Sequence, residues 1–342
     1  LRQQTEDVKP VNGEIAMRAV VCDTLGDETG LVMADLPPPV LRPGTVRIAV
    51  AAAGVNFADG LLIAGRYQDK VAPPFIPGFE IAGTVLATAE DVGNVRPGER
   101  VVALLDHGGF AEEAVARAED VAIIPAGMDA MTAAALPVTY ITAHQALCTR
   151  AGLAAGQTLL VHGAAGGVGL AAVEIGHALG AIVIATAGGS EKLAVAAAHG
   201  ADFGIDHRDG EVAEAVKAVT GGAGADVVFD PVGGAMFDAS LRCAKPGGRL
   251  VVIGFASGTV PQIPANILLV KNLTVIGYGL GGFRRLDPGG LAASFQALFA
   301  WYAAGRLRPE IAAVLPLDQA ATALRRLKER GVSGKLVLKV KD

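Results

Sequence analysis

Strand-length apolar runs dominate the first third of the chain. Met17–Cys22, Thr45–Ala53, Glu80–Ala87 and Arg100–Leu105 read as strands, punctuated by the turn formers Arg42-Pro43-Gly44 and Arg96-Pro97-Gly98. Asn56 to Ala64 has helical spacing, with Asn56 placed to cap it. Pro73-Pro74 and Pro77-Gly78 predict an irregular loop before Glu80, and Asp129 to Arg150 turns helical with an interruption at Pro137. Strands and helices then alternate. Strands are predicted at Thr158–His162, Ala181–Thr186, Asp202–Asp206, Asp226–Asp230, Gly248–Ile253 and Leu273–Gly277, with helices at Ser190–His199, Glu211–Val219 and Ala235–Ala244. This alternation predicts an α/β fold with a doubly wound parallel sheet. Beyond Gly282 come helical patterns at Gly289–Ala304 and Asp318–Glu329 and a last strand at Lys335–Val340. The parallel sheet already has its strands, so the last one is expected to return to the first domain.

The strand at Thr158 runs into Gly163-Ala164-Ala165-Gly166-Gly167-Val168-Gly169 and then a helical pattern with apolar residues at Val168, Ala172, Ile175 and Leu179. Strand, glycine turn and helix are the context in which a Rossmann phosphate loop carries meaning. Aligned on its last glycine, the loop is Ala164-x-Gly166-x-x-Gly169, with alanine in the usual first glycine position. Gly166 would admit a pyrophosphate close to the backbone, Gly169 would let the helix pack tightly, and the helix N-terminus would hold the phosphate charge. The competing reading is a glycine-rich turn that binds nothing.

A length of 342 residues fits two domains, and 51% hydrophobic with 18% charged residues is a globular balance. The net charge of −5 argues against a nucleic-acid partner. No run is long and apolar enough to span a bilayer, and nothing resembles a signal peptide. The chain begins with Leu1; a truncation, a processing product or a cloning remnant is expected, with a flexible extension over residues 1–16 and a natural start at Met17. Cys22, Cys148 and Cys243 lie far apart in apolar contexts, which predicts buried free thiols, a cytoplasmic setting and no structural zinc.

Ordered motifs run along nearly the whole chain: Ala53-Gly54-Val55-Asn56-Phe57-Ala58-Asp59, Pro77-Gly78-Phe79-Glu80-Ile81-Ala82-Gly83, Pro97-Gly98-Glu99-Arg100-Val101, the glycine loop from His162, Asp230-Pro231-Val232-Gly233-Gly234 and Gly247-Gly248-Arg249. With these the chain resembles the zinc-free quinone oxidoreductase (zeta-crystallin-like) branch of the medium-chain dehydrogenases/reductases. The resemblance implies a GroES-like catalytic domain over residues 17–138 and 283–342 and a Rossmann NADP-binding domain over 139–282, with catalysis between them. It also implies a homodimer or homotetramer formed through the last Rossmann strand. Zinc-using relatives carry Gly-His-Glu where this chain has Gly78-Phe79-Glu80, so no metal is expected.

The second strand ends in Thr186-Ala187-Gly188-Gly189, without a carboxylate of the kind that holds a free ribose 2′-hydroxyl. Ser190 and Lys192 follow at a helix N-terminus, where a phosphate reading competes with an ordinary solvated lysine. By resemblance His207 and Arg330 line the same phosphate; His207-Arg208 equally fits a surface turn, and Arg330 a solvated helix end. The resemblance also places Ala165 to Val168 of the glycine loop at the cofactor. Thr142 flanks the nicotinamide, and the turns around Asp230, Gly254-Phe255 and Tyr278-Gly279-Leu280 hold ribose and carboxamide through backbone groups. Asp230 has a competing role as a turn residue before Pro231. Asn56 and Tyr67 match active-site positions, while a further position that is often Tyr is Leu61 here. A tyrosine hydroxyl can donate to an oxyanion; the alternative for Tyr67 is loop packing on Pro73-Pro74.

These residues point to an NADPH-dependent oxidoreductase that passes hydride to a quinone or another conjugated carbonyl. An enoyl-thioester reductase, which needs a long groove and cations for the acyl carrier, is the alternative within enzymes. A non-catalytic NADPH-binding structural or regulatory protein is the alternative outside them.

Overall fold

The computed structural model describes residues 16–341, so the expected extension over 1–16 lies, save its last residue, outside the described residues. The N-terminal part contributes strands β1 (Met17–Cys22), β2 (Leu31–Leu36), β3 (Thr45–Val55), β4 (Glu80–Thr88), β5 (Arg100–Leu104), β6 (Glu113–Arg117) and β7 (Val121–Ile123), with helix α1 (Phe57–Ile63) between β3 and β4. Helices α2 (Ala130–Ala134) and α3 (Pro137–His144) follow, broken at Pro137 as its missing N–H requires. The alternating part then runs β8 (Thr158–Val161), α4 (Gly167–Ala178), β9 (Ile182–Ala187), α5 (Ser190–Ala198), β10 (Phe203–Asp206), α6 (Val212–Val219), β11 (Ala225–Asp230), α7 (Ala235–Cys243), β12 (Ala244–Val252), α8 (Ala265–Lys271) and β13 (Thr274–Gly277). The chain closes with α9 (Leu280–Leu286), α10 (Gly290–Ala303), β14 (Ile311–Pro316), α11 (Ala320–Lys328) and β15 (Lys335–Lys339).

Strands β8 to β13 form a six-stranded sheet in the order β10-β9-β8-β11-β12-β13, every neighbour parallel. A parallel sheet is covered on both faces, and its strands are apolar throughout. Leu159, Val161, Val183, Val227 and Phe229 enter one core, while Leu160, Ile184, Val228 and Leu250 enter the other with residues of α6 and α7. Strand order reverses between β8 and β11, the crevice at which ligands collect in such sheets. The second sheet has seven strands, in the order β14-β15-β3-β4-β5-β7 with β6 also on β3. Strand β15 pairs antiparallel with β3, Leu336 opposite Val55 and Lys339 opposite Ala52, which returns the chain end to the sheet of the N-terminal part. That pairing links the two sheets, because β15 begins beside the glycine loop and runs along β3 in the seven-stranded sheet.

Candidate active site

The glycine loop sits at the carboxyl end of β8. A β-carbon on Gly169 would lie 2.2 Å from the Gly163 carbonyl oxygen, so only glycine lets α4 press onto the loop here. At Gly166 the nearest atom to such a carbon is that same oxygen, at 3.4 Å, an ordinary contact. Protein packing therefore does not demand glycine at Gly166, and the loop stays open at that point. Ala165 and Gly166 are clasped from the other sheet: Gly334 N–H donates to the Ala165 carbonyl at 2.8 Å, and Gly166 and Gly334 form an isolated parallel bridge. A carbon on Gly167 would meet Thr139 and Lys335, so the loop and Val168 begin α4 directly against the catalytic sheet.

Lys335, the first residue of β15, opens a buried polar network that the sequence did not reveal. Its Nζ donates to Asn56 Oδ1 at 2.5 Å and pairs with Glu80 Oε1 at 2.5 Å. Asn56 Nδ2 donates to the same Glu80 oxygen at 2.7 Å, and Glu80 Oε2 accepts from Val138 N–H at 2.7 Å, in the first turn of α3. Asn56 stands at the N-cap of α1 as expected, in a capping box with Asp59, whose Oδ2 accepts from Asn56 N–H at 2.7 Å, and its amide also reaches inward to Lys335 and Glu80. Burial pushes the Asp59 carboxyl up to about 7, against the donors at Asn56 and Gly78 and the nearby Lys335, which pull it down. Both Oδ1 and Nδ2 of Asn56 are thus engaged within the network. Thr142 is buried on α3, whose N-terminus this network fixes.

Tyr67 lies in the loop after α1. Its ring packs on Phe79 with centroids 5.1 Å apart, and this aromatic partner takes the part foreseen for Pro73-Pro74. Burial, and after it Asp69 and Asp59, raise the phenol pKa, so the hydroxyl keeps its proton. The neighbouring Asp69 comes within 4.0 Å of Arg285 on α9, which brings this loop against the elements that follow β13. Leu61 is half-buried on α1.

Around β9 the basic groups gather. A β-carbon on Gly188 would lie 3.2 Å from His207 Nε2, and one on Gly189 would lie 2.8 Å from Arg208 Nη2. Ser190 is exposed at the start of α5. Lys192 Nζ donates to the Arg330 carbonyl at 2.5 Å, whereas the Arg330 guanidinium reaches Ala256 O at 2.9 Å in the loop after β12. Arg330 therefore meets Lys192 through its carbonyl, and its charge is turned toward Ala256. The strand end also differs from expectation: β9 carries no acid itself, but Asp206 at the end of β10 accepts from Gly189 N–H at 2.8 Å. Periodicity within one strand gives no sign of a carboxylate brought by its neighbour.

Asp230 ends β11, where Oδ1 accepts from Val232 N–H at 2.8 Å and Gly233 N–H at 2.9 Å. This is the turn role; Oδ2 is buried without a partner among the described residues, which leaves an acceptor free at the crevice. Gly254 and Phe255 follow β12 in the same crevice, with Phe255 exposed. Gly279 and Leu280 open α9 just past β13, whereas the Tyr278 side chain is buried in the core, its hydroxyl donating to Gln145 Oε1 at 2.7 Å. The Tyr278 backbone N–H donates to Val252 O at 3.0 Å, at the end of β12. His162, fully buried at the end of β8, contacts Thr186 Oγ1 at 2.9 Å and Ser240 Oγ at 2.7 Å, and burial pulls its pKa down to about 4. Ser240 already donates to Met236 O, so it accepts from Nε2–H and leaves Nδ1 to accept from Thr186. His162 is a neutral tie between strands and helix.

The comparisons agree with this geometry. Residues 42–126 match the alcohol dehydrogenase GroES-like domain and residues 167–297 the zinc-binding dehydrogenase family. The chain is 38% identical to quinone oxidoreductase-like protein 2 of Bos taurus over 325 residues, 95% of this chain and 93% of that protein. The chain belongs to the quinone oxidoreductase branch of the medium-chain dehydrogenases/reductases. Among solved structures, the quinone oxidoreductase of Pseudomonas syringae pv. Tomato superposes with a TM-score of 0.89 at 31% identity, covering 95% of this chain and all of that one. The Escherichia coli quinone oxidoreductase complexed with NADPH gives 0.88 at 29% identity, covering 94% and 100%. The zinc in the family description has no ligand set to use among the described residues: Phe79 stands at the histidine position, and Glu80 is consumed by Lys335, Asn56 and Val138.

Proposed function

We propose that this chain is an NADPH-dependent reductase that delivers hydride to quinones or other α,β-unsaturated carbonyls without zinc. The observation that carries the cofactor half is the phosphate cradle: an open Gly166 on a tightly packed Gly169, with His207, Arg208 and Lys192 grouped at the end of β9. The NADPH complex of the E. coli relative supports it, and the quinone oxidoreductase names of the relatives support the acceptor class. Residues Ala165 to Val168 would hold the pyrophosphate, Gly188 to Lys192 with His207 the adenosine phosphate, and the turns at Asp230, Gly254-Phe255 and Tyr278-Leu280 the nicotinamide half beside Thr142. Bound NADPH supplies the hydride. The chain's own part is orientation and charge stabilisation. Lys335, Glu80 and Asn56 fix the clasp on the loop, and the protonated Tyr67 hydroxyl donates to the oxygen on which charge develops.

The catalytic unit in this reading comprises residues 17–138 and 283–342, and the cofactor unit 139–282. We also assign an oligomer contact to β13: it is the outer strand of its sheet, and Leu269 and Val270 on the adjacent α8 are 78% and 80% exposed. The free thiols Cys22, Cys148 and Cys243 suit a reducing cytoplasm. Purified protein mixed with NADPH and a panel of quinones, enones and enoyl-thioesters tests the reading. Turnover with quinones or enones supports it. Turnover confined to enoyl-thioesters, or tight NADPH binding with no turnover on any acceptor, would replace it with the corresponding alternative.

A further inference from the structure

Asp206 presents a problem for a site that takes a 2′-phosphate. A carboxylate at the end of the second strand, about twenty residues past the loop, accepts from a free ribose 2′-hydroxyl and disfavours the phosphorylated ribose. Asp206 ends the third strand, but its bond with Gly189 brings it to that same strand end. Here Gly189 N–H holds the carboxylate in place, and its side chain is 11% exposed, so it does not swing out to solvent. Arg208 meets it edge-on: Nε lies 3.0 Å from Oδ1 and Nη2 lies 2.7 Å from Oδ2. The guanidinium, 60% exposed, lies over the turn, 2.8 Å (Nη2) and 3.6 Å (Nη1) from the place a Gly189 β-carbon would take. One edge of the fork is spent on Asp206, and the remaining N–H groups on Nη1 and Nη2 are free to meet a second anion.

We propose that Arg208 masks Asp206, turning a position that would select the unphosphorylated cofactor into one that accepts the 2′-phosphate of NADPH. The inference rests on the NADPH reading above and adds a specificity device to it. It assigns Asp206 the opposite of its usual effect. Left bare, the acid would disfavour NADPH; paired, it fixes the arginine at the phosphate.

Binding constants for NADPH and NADH, measured by calorimetric titration, separate these roles in four proteins: wild type, Arg208→Ala, Asp206→Asn and the double variant. The amide oxygen introduced by Asp206→Asn still accepts from Gly189 N–H, so that variant removes the charge and keeps the tie to the turn. Arg208→Ala is expected to weaken NADPH binding at least about tenfold while NADH binding holds or tightens. The double variant is expected to recover part of that loss, the part due to the bare acid, and Asp206→Asn alone to stay near wild type. Arg208→Ala binding NADPH like wild type, or the double variant binding it as weakly as Arg208→Ala, overturns the masking role. Wild type binding NADH as tightly as NADPH overturns the cofactor reading instead.

Discussion

Tyr67 and Asn56 share a motif-based expectation, yet the structure gives them different work. The Tyr67 phenol is half-buried on Phe79 and protonated, while Asn56 is consumed by Lys335 and Glu80. A buried hydrogen-bond donor aimed at developing charge is worth about two to three powers of ten in turnover. Tyr67→Phe should therefore slow enone reduction strongly, slow quinone reduction mildly, because quinones disperse charge over their rings, and leave NADPH affinity nearly intact. Steady-state rates on both acceptor classes check this; unchanged rates on both return Tyr67 to loop packing. Individual residues were only partly legible in sequence. Gly166 and Gly169 announced themselves through local spacing, whereas Lys335 meets Asn56 from 279 positions away, and Asp206 reaches Gly189 from a neighbouring strand. Such partners follow from topology, to which local pattern is blind.

Helix α4, which carries the glycine loop, is anchored by one buried carboxylate. Glu174 Oε1 lies 2.5 Å from His199 Nδ1, Oε2 accepts from Tyr140 at 2.7 Å, and Arg308 N–H donates to both oxygens. The segment after Arg308 then receives Lys335 N–H on the Glu310 carbonyl, which links this anchor to the clasp on the loop. The hydrogen bond to Glu174 raises the His199 pKa, against a burial effect that lowers it. The proton is held more tightly folded than unfolded, so the pair's stability is complete below the usual histidine value of about 6.5 and is lost as pH rises through the raised one. Melting temperature should fall more in wild type than in Glu174→Gln as pH rises above about 6.5. Equal slopes in the two proteins would remove the anchor from the account. The elements themselves were legible where burial is strong, as in β8, β9 and β11. Strand β2 buries none of its residues, β14 buries only Leu315, and β6 buries only Ala114 and Ala116, so none of the three carries a strong apolar signature.

At the scale of the molecule, the two sheets meet where β15 leaves the glycine loop and joins β3, so the glycine loop and the Lys335–Glu80–Asn56 network share one strand. The outer edge at β13 is expected to join a second copy; Leu269→Lys with Val270→Lys should shift the protein toward monomer in light scattering, and an unchanged mass would move the contact elsewhere. The alternation of strands and helices made this architecture readable, since a parallel sheet buries both faces and leaves a continuous apolar signature. The central claim is that this cleft passes hydride from NADPH to a conjugated acceptor. Its most direct test is turnover of an enone with NADPH deuterated at C4 of the nicotinamide, on the transferred face, followed by mass and NMR analysis of the product. The account expects one deuterium on the β-carbon for each NADPH oxidised. NADPH oxidation that leaves no deuterium at that carbon, or no oxidation at all with quinones and enones, would contradict it.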